Sequence, residues 1–227
     1  MIYYRSWPDA SPAGTLWRVI SDEPQHRILP DGVMDLVCSD GKFMFAGPDT
    51  KAVSVKVPSG SATWGLHLAP GVAHALIGIP ANDVRGERVA LDDLVSLPAS
   101  LVDAAYQDPE TALTALVHTL WIRAAVNVNE LRLAASLDRA ARNGLSVTAI
   151  AEEHYLSERS LRRLSDHLFG YGPKTLTSIH RFRRALRLLR GGTSFGETAA
   201  KAGYADQAHL SREVKRLTGT TLTALLN

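Results

Sequence analysis

The sequence predicts an α+β chain: a β-rich, barrel-like N-terminal domain with helices, then an all-α domain of two helix-turn-helix units joined by a long helix. Three observations predict it. Apolar residues alternate in short runs up to about residue 68 and recur at helical spacing further on. Residues 150–161 and 199–210 match each other at an offset of 49 residues, and Arg163/Arg212, Leu168/Leu217 and Gly170/Gly219 continue the register. The net charge of +2 hides an asymmetry. Residues 1–128 hold 9 Lys and Arg against 14 Asp and Glu, a balance of −5, and residues 129–227 hold 16 against 9, a balance of +7. Only the second half is suited to a polyanion.

The first elements follow from local chemistry. Residues 1–15, with Pro8, Pro12 and Gly14, read as an extended arm or irregular lead-in. Residues 33–38 and 43–45 flank Asp40-Gly41, a hairpin signal, because Gly accepts the positive φ of a tight primed turn. Residues 51–57 place Val53, Val55 and Val57 on one face, and residues 63–68 form another strand stopped by Pro70-Gly71. Val72, Ala73, Leu76 and Ile77 fit a short helix ending near Gly78. Pro109 suits a helix first turn, followed by Leu113, Leu116, Val117, Leu120 and Trp121 up to about Ala125. That stripe either packs on its own barrel or forms a dimer face.

Asn127-Val128-Asn129 marks the expected boundary, giving domains 1–128 and 129–227, with units at about 129–172 and 193–227. Seven helices are expected, near 130–142, 147–153, 158–169, 174–190, 195–202, 207–217 and 221–226. Ser157 and Asp206 are N-cap types before the second helix of each unit, and Ser194 with Glu197 reads as a capping box. Gly144, Gly170, Gly191-Gly192 and Gly219 stand at expected helix ends.

In the first unit Leu161, Leu164 and Leu168 share a buried face, which turns Arg159, Arg162 and Arg163 outward. An arginine fork can bind the guanine O6/N7 edge; the plainer reading is a solvated basic face. In the second, Leu210, Val214 and Leu217 are the buried stripe, leaving Gln207, His209, Ser211 and Arg212 outside. The intervening helix carries Arg181, Arg183, Arg184, Arg187 and Arg190. At roughly 27 Å it approaches the ~34 Å between successive major grooves on one side of B-DNA. Its arginines suit either phosphate contact or helix solubility.

These residues carry a resemblance. Residues 129–227 resemble the DNA-binding domain of AraC/XylS-type transcriptional regulators. The matching positions include Ile150-Ala151, residues 157–164, Gly170 with Pro173, Arg181, Ala185 and Leu189. The second unit adds Ala200, Gly203-Tyr204, Leu210, Arg212, Lys215 and Gly219. The resemblance implies base contacts at Arg159, Arg162, Arg163, Gln207, Ala208, His209 and Arg212. Arg181, Arg184 and Lys215 are the candidates for phosphate. Departures are residues 219–222, which lack the usual Pro, Val214 in place of an aromatic, His154 in place of a small residue, and Ala208, which cannot hydrogen-bond a base. The N-terminal half resembles more loosely a sensor-type domain of unknown function fused to such regulators, on residues 27–32, Asp35-Leu36, residues 46–48 and residues 65–71.

The expectation is therefore a sequence-specific DNA-binding transcriptional regulator, and not an enzyme. Its expected partners are double-stranded DNA, RNA polymerase, a second copy in a homodimer, and a small-molecule effector, with no membrane. Effector candidates are Arg27, Asp35, Trp64 and His67, though Arg27, Asp31 and Asp35 also suit turn chemistry around Pro30-Asp31-Gly32. No cofactor or metal site is expected: His26, Cys38, His67, His74 and His118 show no HxH, HExxH or CxxC spacing. No GxSxG, GxGxxG or Walker motif occurs. The single Cys38 precludes an intramolecular disulfide, and neither a signal-like leader nor an 18-residue apolar run is present, so a cytoplasmic location is expected. Two other readings stay open. One is a cupin-like metal-binding protein or enzyme with a helical tether. The other is an effector-free regulator whose acidic half is purely a dimerisation or protein-contact module.

Overall fold

Alternation at period two builds the N-terminal sheet, and the computed structural model describes residues 2–11, 13–21, 25–56, 60 and 62–226. Pro12 and Val57, used in the sequence reading, lie outside them. The strands are β1 (Ile2–Ser11), β2 (Gly14–Ser21), β3 (Gln25–Ile28), β4 (Asp35–Ser39), β5 (Lys42–Ala46), β6 (Val53–Lys56), β7 (Ala62–Leu68) and β8 (Arg88–Ala90). Six pair antiparallel in the order β1-β2-β7-β4-β5-β8, and β3 and β6 form a separate ribbon.

Two expectations are corrected. The sheet is open, with β1 and β8 at its edges among the described residues, so the half is β-rich without being a closed barrel. The expected arm at residues 1–15 is instead β1 and the start of β2. Pro8 is accommodated because β1 is an edge strand whose register with β2 shifts between Trp7 and Ser11. The Asp40-Gly41 hairpin is present, with positive φ at both residues (48° and 69°) joining β4 to β5.

One face of the sheet presents Leu16, Leu36, Phe43, Phe45 and Leu66 to the core. Helices α1 (Val72–Ile77), α2 (Ala99–Gln107) and α3 (Pro109–Arg123) take part in closing it. Asp108 caps α3 by accepting the Thr111 N–H at 3.1 Å. The α3 stripe is core: Leu113, Leu116, Val117 and Leu120 are buried with the sheet residues, so the stripe packs on its own domain.

The C-terminal helices are α4 (Val128–Arg142), α5 (Val147–Glu153), α6 (Glu158–Phe169), α7 (Pro173–Arg190), α8 (Phe195–Ala202), α9 (Gln207–Thr218) and α10 (Leu222–Leu226). All seven fall within about two residues of the expected bounds. They enclose two cores, and α7 serves both. Its Leu176 and Ile179 join Leu137, Ile150, Leu161 and Leu168; its Phe182, Ala185 and Leu189 join Ala199, Leu210, Val214 and Leu217. One continuous helix thus sets the placement of one unit against the other.

The N-terminal half docks on both units. The Ala52 N–H donates to the Leu217 carbonyl (2.7 Å) at the end of α9. Arg183 of α7 donates to the Asp31 carbonyl (2.9 Å), and Arg85 donates to the Gly170 carbonyl at the end of α6. Gly170 has φ +80°, and a Cβ there would overlap Pro48 and lie 2.9 Å from the Ala81 carbonyl oxygen.

Candidate nucleic-acid interface

Each unit exposes the start of its second helix because the cap and the buried stripe orient it. In the first unit the Ser157 hydroxyl accepts the Ser160 N–H (3.1 Å), starting α6. Leu161, Ser165, Leu168 and Phe169 face inward. Arg159, Arg162 and Arg163 are exposed as expected, Arg162 with 79% of its side chain accessible and only a long (4.0 Å) approach to Asp166. His154, one of the departures from the family pattern, ties the turn to α4. Its Nδ1–H donates to the Ile150 carbonyl (2.8 Å), which leaves Nε2 to accept the Ser136 hydroxyl (2.9 Å).

In the second unit Asp206 accepts the His209 N–H (2.6 Å) and starts α9. Leu210, Val214 and Leu217 are buried, so Val214 fills the core position where the family has an aromatic. Gln207, Ala208 and Arg212 are exposed. His209 is half-buried; its Nδ1 accepts the Ala205 N–H (3.3 Å) and its ring meets Tyr204 edge-on at 5.2 Å. Only its Nε2 edge is left to face outward. Ser211 donates its hydroxyl to the Gln207 carbonyl (2.9 Å).

Among the phosphate candidates Arg184 and Lys215 are exposed, but Arg181 is not free. Its guanidinium lies 4.6 Å from the centre of the Tyr204 ring and its Nε is buried, so it packs α7 against the second unit. Glu213 fastens α9 to α7: it accepts from Arg216 (2.8 Å) and from Ser178. The Arg216 guanidinium, with help from Ser178, holds this carboxyl down at about 2.

Sequence reasoning passed over Tyr155. It lies in the turn of the first unit with φ +54° and is 98% exposed, whereas its repeat equivalent Tyr204 is buried.

Two clefts flank α6. One, of about 630 Å³, lies between Pro80, Asn82 and Arg85 on one side and Arg163 and His167 on the other. The second, of about 660 Å³, gathers Arg85, Arg159, Arg162 and Lys174 beside Gly172 at the start of α7. Four cations line it with only Glu158 and Asp166 to oppose them, a charge balance that suits phosphate.

The four effector candidates do not meet. Asp35 and His67 do: His67 Nδ1 lies 2.5 Å from the Asp35 carboxylate, which also accepts the Trp17 indole N–H (2.8 Å). Burial opposes charge on His67, but the bonded Asp35 outweighs it and holds the imidazole pKa above its ordinary value. Burial, reinforced by Asp35, pushes the nearby Asp31 up to about 6. Trp64 is three positions from His67 on β7 and so faces the opposite side, buried in the core with Arg18 stacked 5.2 Å from its ring centre. Arg27 stands on the β3–β6 ribbon beside Gly219. Of the four effector candidates the structure brings together only Asp35 and His67.

Residues 150–227 match the family model described as a helix-turn-helix domain. Residues 150–227 are an AraC-type helix-turn-helix domain. Residues 14–90 match a domain of unknown function, DUF6597, so this domain type precedes the AraC-type reader in the chain. No curated protein sequence matches the chain. Among solved structures, the chain is similar to ToxT from Vibrio cholerae O395, at 10% identity over 99% of this chain and 96% of that one, with a TM-score of 0.49. It is also similar to unsaturated fatty acid bound wild-type ToxT from strain SCE256, at 9% identity over 99% and 93%, with a TM-score of 0.45. No helix among the described residues is long and apolar enough to cross a membrane.

Proposed function

We propose that the protein is a sequence-specific DNA-binding transcriptional regulator that places α6 and α9 in successive major grooves. The observation that carries this reading is the shared helix α7, whose two halves belong to the two helical cores; at about 1.5 Å per residue its length of roughly 27 Å suits readers spaced for successive major grooves. Arg159, Arg162 and Arg163 read bases in the first groove. Gln207, Arg212 and the Nε2 edge of His209 read the second, and Ala208 makes apolar contact only. Arg184 and Lys215 hold phosphate, as do Arg85 and Lys174 of the cationic cleft.

In this reading residues 129–227 form the DNA-binding domain and residues 1–128 the controlling one, through an effector, self-association, or contact with RNA polymerase. Control has a physical route, because the N-terminal half touches the ends of both recognition helices. A small molecule shifts the readers only by its difference in affinity between two arrangements of the halves.

Selection of bound sequences from a random duplex pool by the full-length protein, at about 150 mM salt so that non-specific phosphate binding is suppressed, tests the reading. The expected result is one motif with two blocks about 10 bp apart. A single block would confine base reading to one unit. Absence of any enriched motif, with binding that vanishes as salt rises, would refute sequence-specific recognition by the protein as purified.

A further inference from the structure

We propose that His74, Glu130 and His167 form a three-ligand site for a divalent transition-metal ion, best matched by Zn²⁺, that clasps the N-terminal half to the first reader. The three residues come from three helices, α1, α4 and α6. Their ligand atoms all lie within 4.8 Å of one another. His74 Nε2 is 3.1 Å from His167 Nε2 and 3.8 Å from Glu130 Oε1. Two atoms bound to one tetrahedral zinc at about 2.0–2.1 Å are roughly 3.3–3.4 Å apart, so these separations need only small side-chain shifts to hold an ion.

The outer contacts favour the metal-binding tautomer. His74 Nδ1 lies 3.0 Å from the Ile79 carbonyl, so Nδ1 carries the proton and Nε2 presents its lone pair to the cluster. A single N–H···N bond from His167 to His74 would satisfy the two rings but leave the Glu130 carboxylate facing a lone pair. One cation at the centre satisfies all three groups. The donor set, two imidazoles and a carboxylate, belongs to zinc and its neighbours rather than to calcium or magnesium. All three residues are only partly buried, which leaves room for water as a fourth ligand.

The site is distinct from a cupin-like centre within the sheet, since His67 there is committed to Asp35. It also stands independently of the DNA-binding reading. Metal that binds only the docked arrangement stabilises that arrangement by mass action, and so holds the end of α6 against α1 and α4.

The test uses tag-free full-length protein stripped with EDTA. Titration with Zn²⁺ should show one equivalent bound per chain and a raised thermal midpoint, and Co²⁺ should give the visible absorption of a tetrahedral site. His74→Ala and His167→Ala should abolish all three signals. Glu130→Gln should weaken binding by more than the roughly 10–100-fold lost with an outer-shell partner. His118→Ala, on the exposed side of α3, should change nothing. No stoichiometric binding by the wild-type protein, whose fold is checked by circular dichroism, would overturn the site. So would binding and stabilisation that persist in both histidine variants.

Discussion

Arg162 shows what a single side chain can contribute. It projects from the first half of α6, and its ion-pair partner, Asp166, stands at 4.0 Å. An exposed pair at that distance holds the guanidinium weakly, so a base edge can take it over. Arg162→Ala is expected to cost about 1–3 kcal/mol of specific binding and to relax preference at one base pair, measured by titration against the selected site and its single-base variants. Equal loss on all sequences would make it a phosphate contact instead. Asp138 is the opposite case, a buried carboxylate with a structural task. It accepts from His180 of α7 (2.8 Å) and Arg142 (2.7 Å). Burial alone would raise its pKa, but these two partners outweigh burial and hold it below the ordinary value. The native state therefore binds the proton less readily than the unfolded chain. The stabilisation is complete above the ordinary carboxylate pKa of about 3.9 and is lost as the pH falls through the lower native value. Asp138→Ala, which strands the buried His180 nitrogen, should cost about 1–3 kcal/mol at neutral pH by urea unfolding. The gap from wild type should narrow below about pH 4; a gap independent of pH would remove the ionised carboxylate from the account.

At the scale of elements, the helices of the C-terminal half were legible because each carries its own punctuation. Ser157, Ser194 and Asp206 do cap the helices that follow them. The capping box is only half made: Ser194 accepts the Glu197 N–H, while Glu197 turns to Lys201 (2.7 Å). Strand β1 was not legible, since Pro8 signals a break and its tolerance depends on an edge position that only the assembled sheet defines. Helix α2 and strand β8 were missed for a related reason. The α2 segment buries only Ala105, and β8 has three residues, so neither shows a periodic stripe. The end of α6 was half legible. Gly170 marked the stop, but nothing local showed that Pro48 and Ala81 press on it. Gly170→Ala should cost at least the roughly 1–2 kcal/mol of a left-handed residue with a side chain. For a chain of this size that lowers the thermal midpoint by at least about 2–4 °C, with more from the overlap. An unchanged midpoint would show that the junction gives way freely.

At the scale of the molecule, the sequence by itself determined the two-part architecture, the basic reader half and the outward arginines of α6. Periodicity, capping and charge are local properties written at fixed spacing, so they survive without a fold. Tertiary structure alone decided which distant residues meet. His74, Glu130 and His167 are far apart in the chain and share no metal-binding spacing, yet three helices bring their ligand atoms together. Trp64 and His67 are close in sequence and were grouped as effector contacts, yet strand alternation sends one into the core and the other to Asp35. Arg181 looked like its neighbours on α7 until Tyr204 was packed beneath it. Each of these outcomes depends on long-range burial and on how one half docks against the other. Such contacts leave no periodic trace in the chain, because they are set by the free energy of the whole packed arrangement rather than by any segment alone.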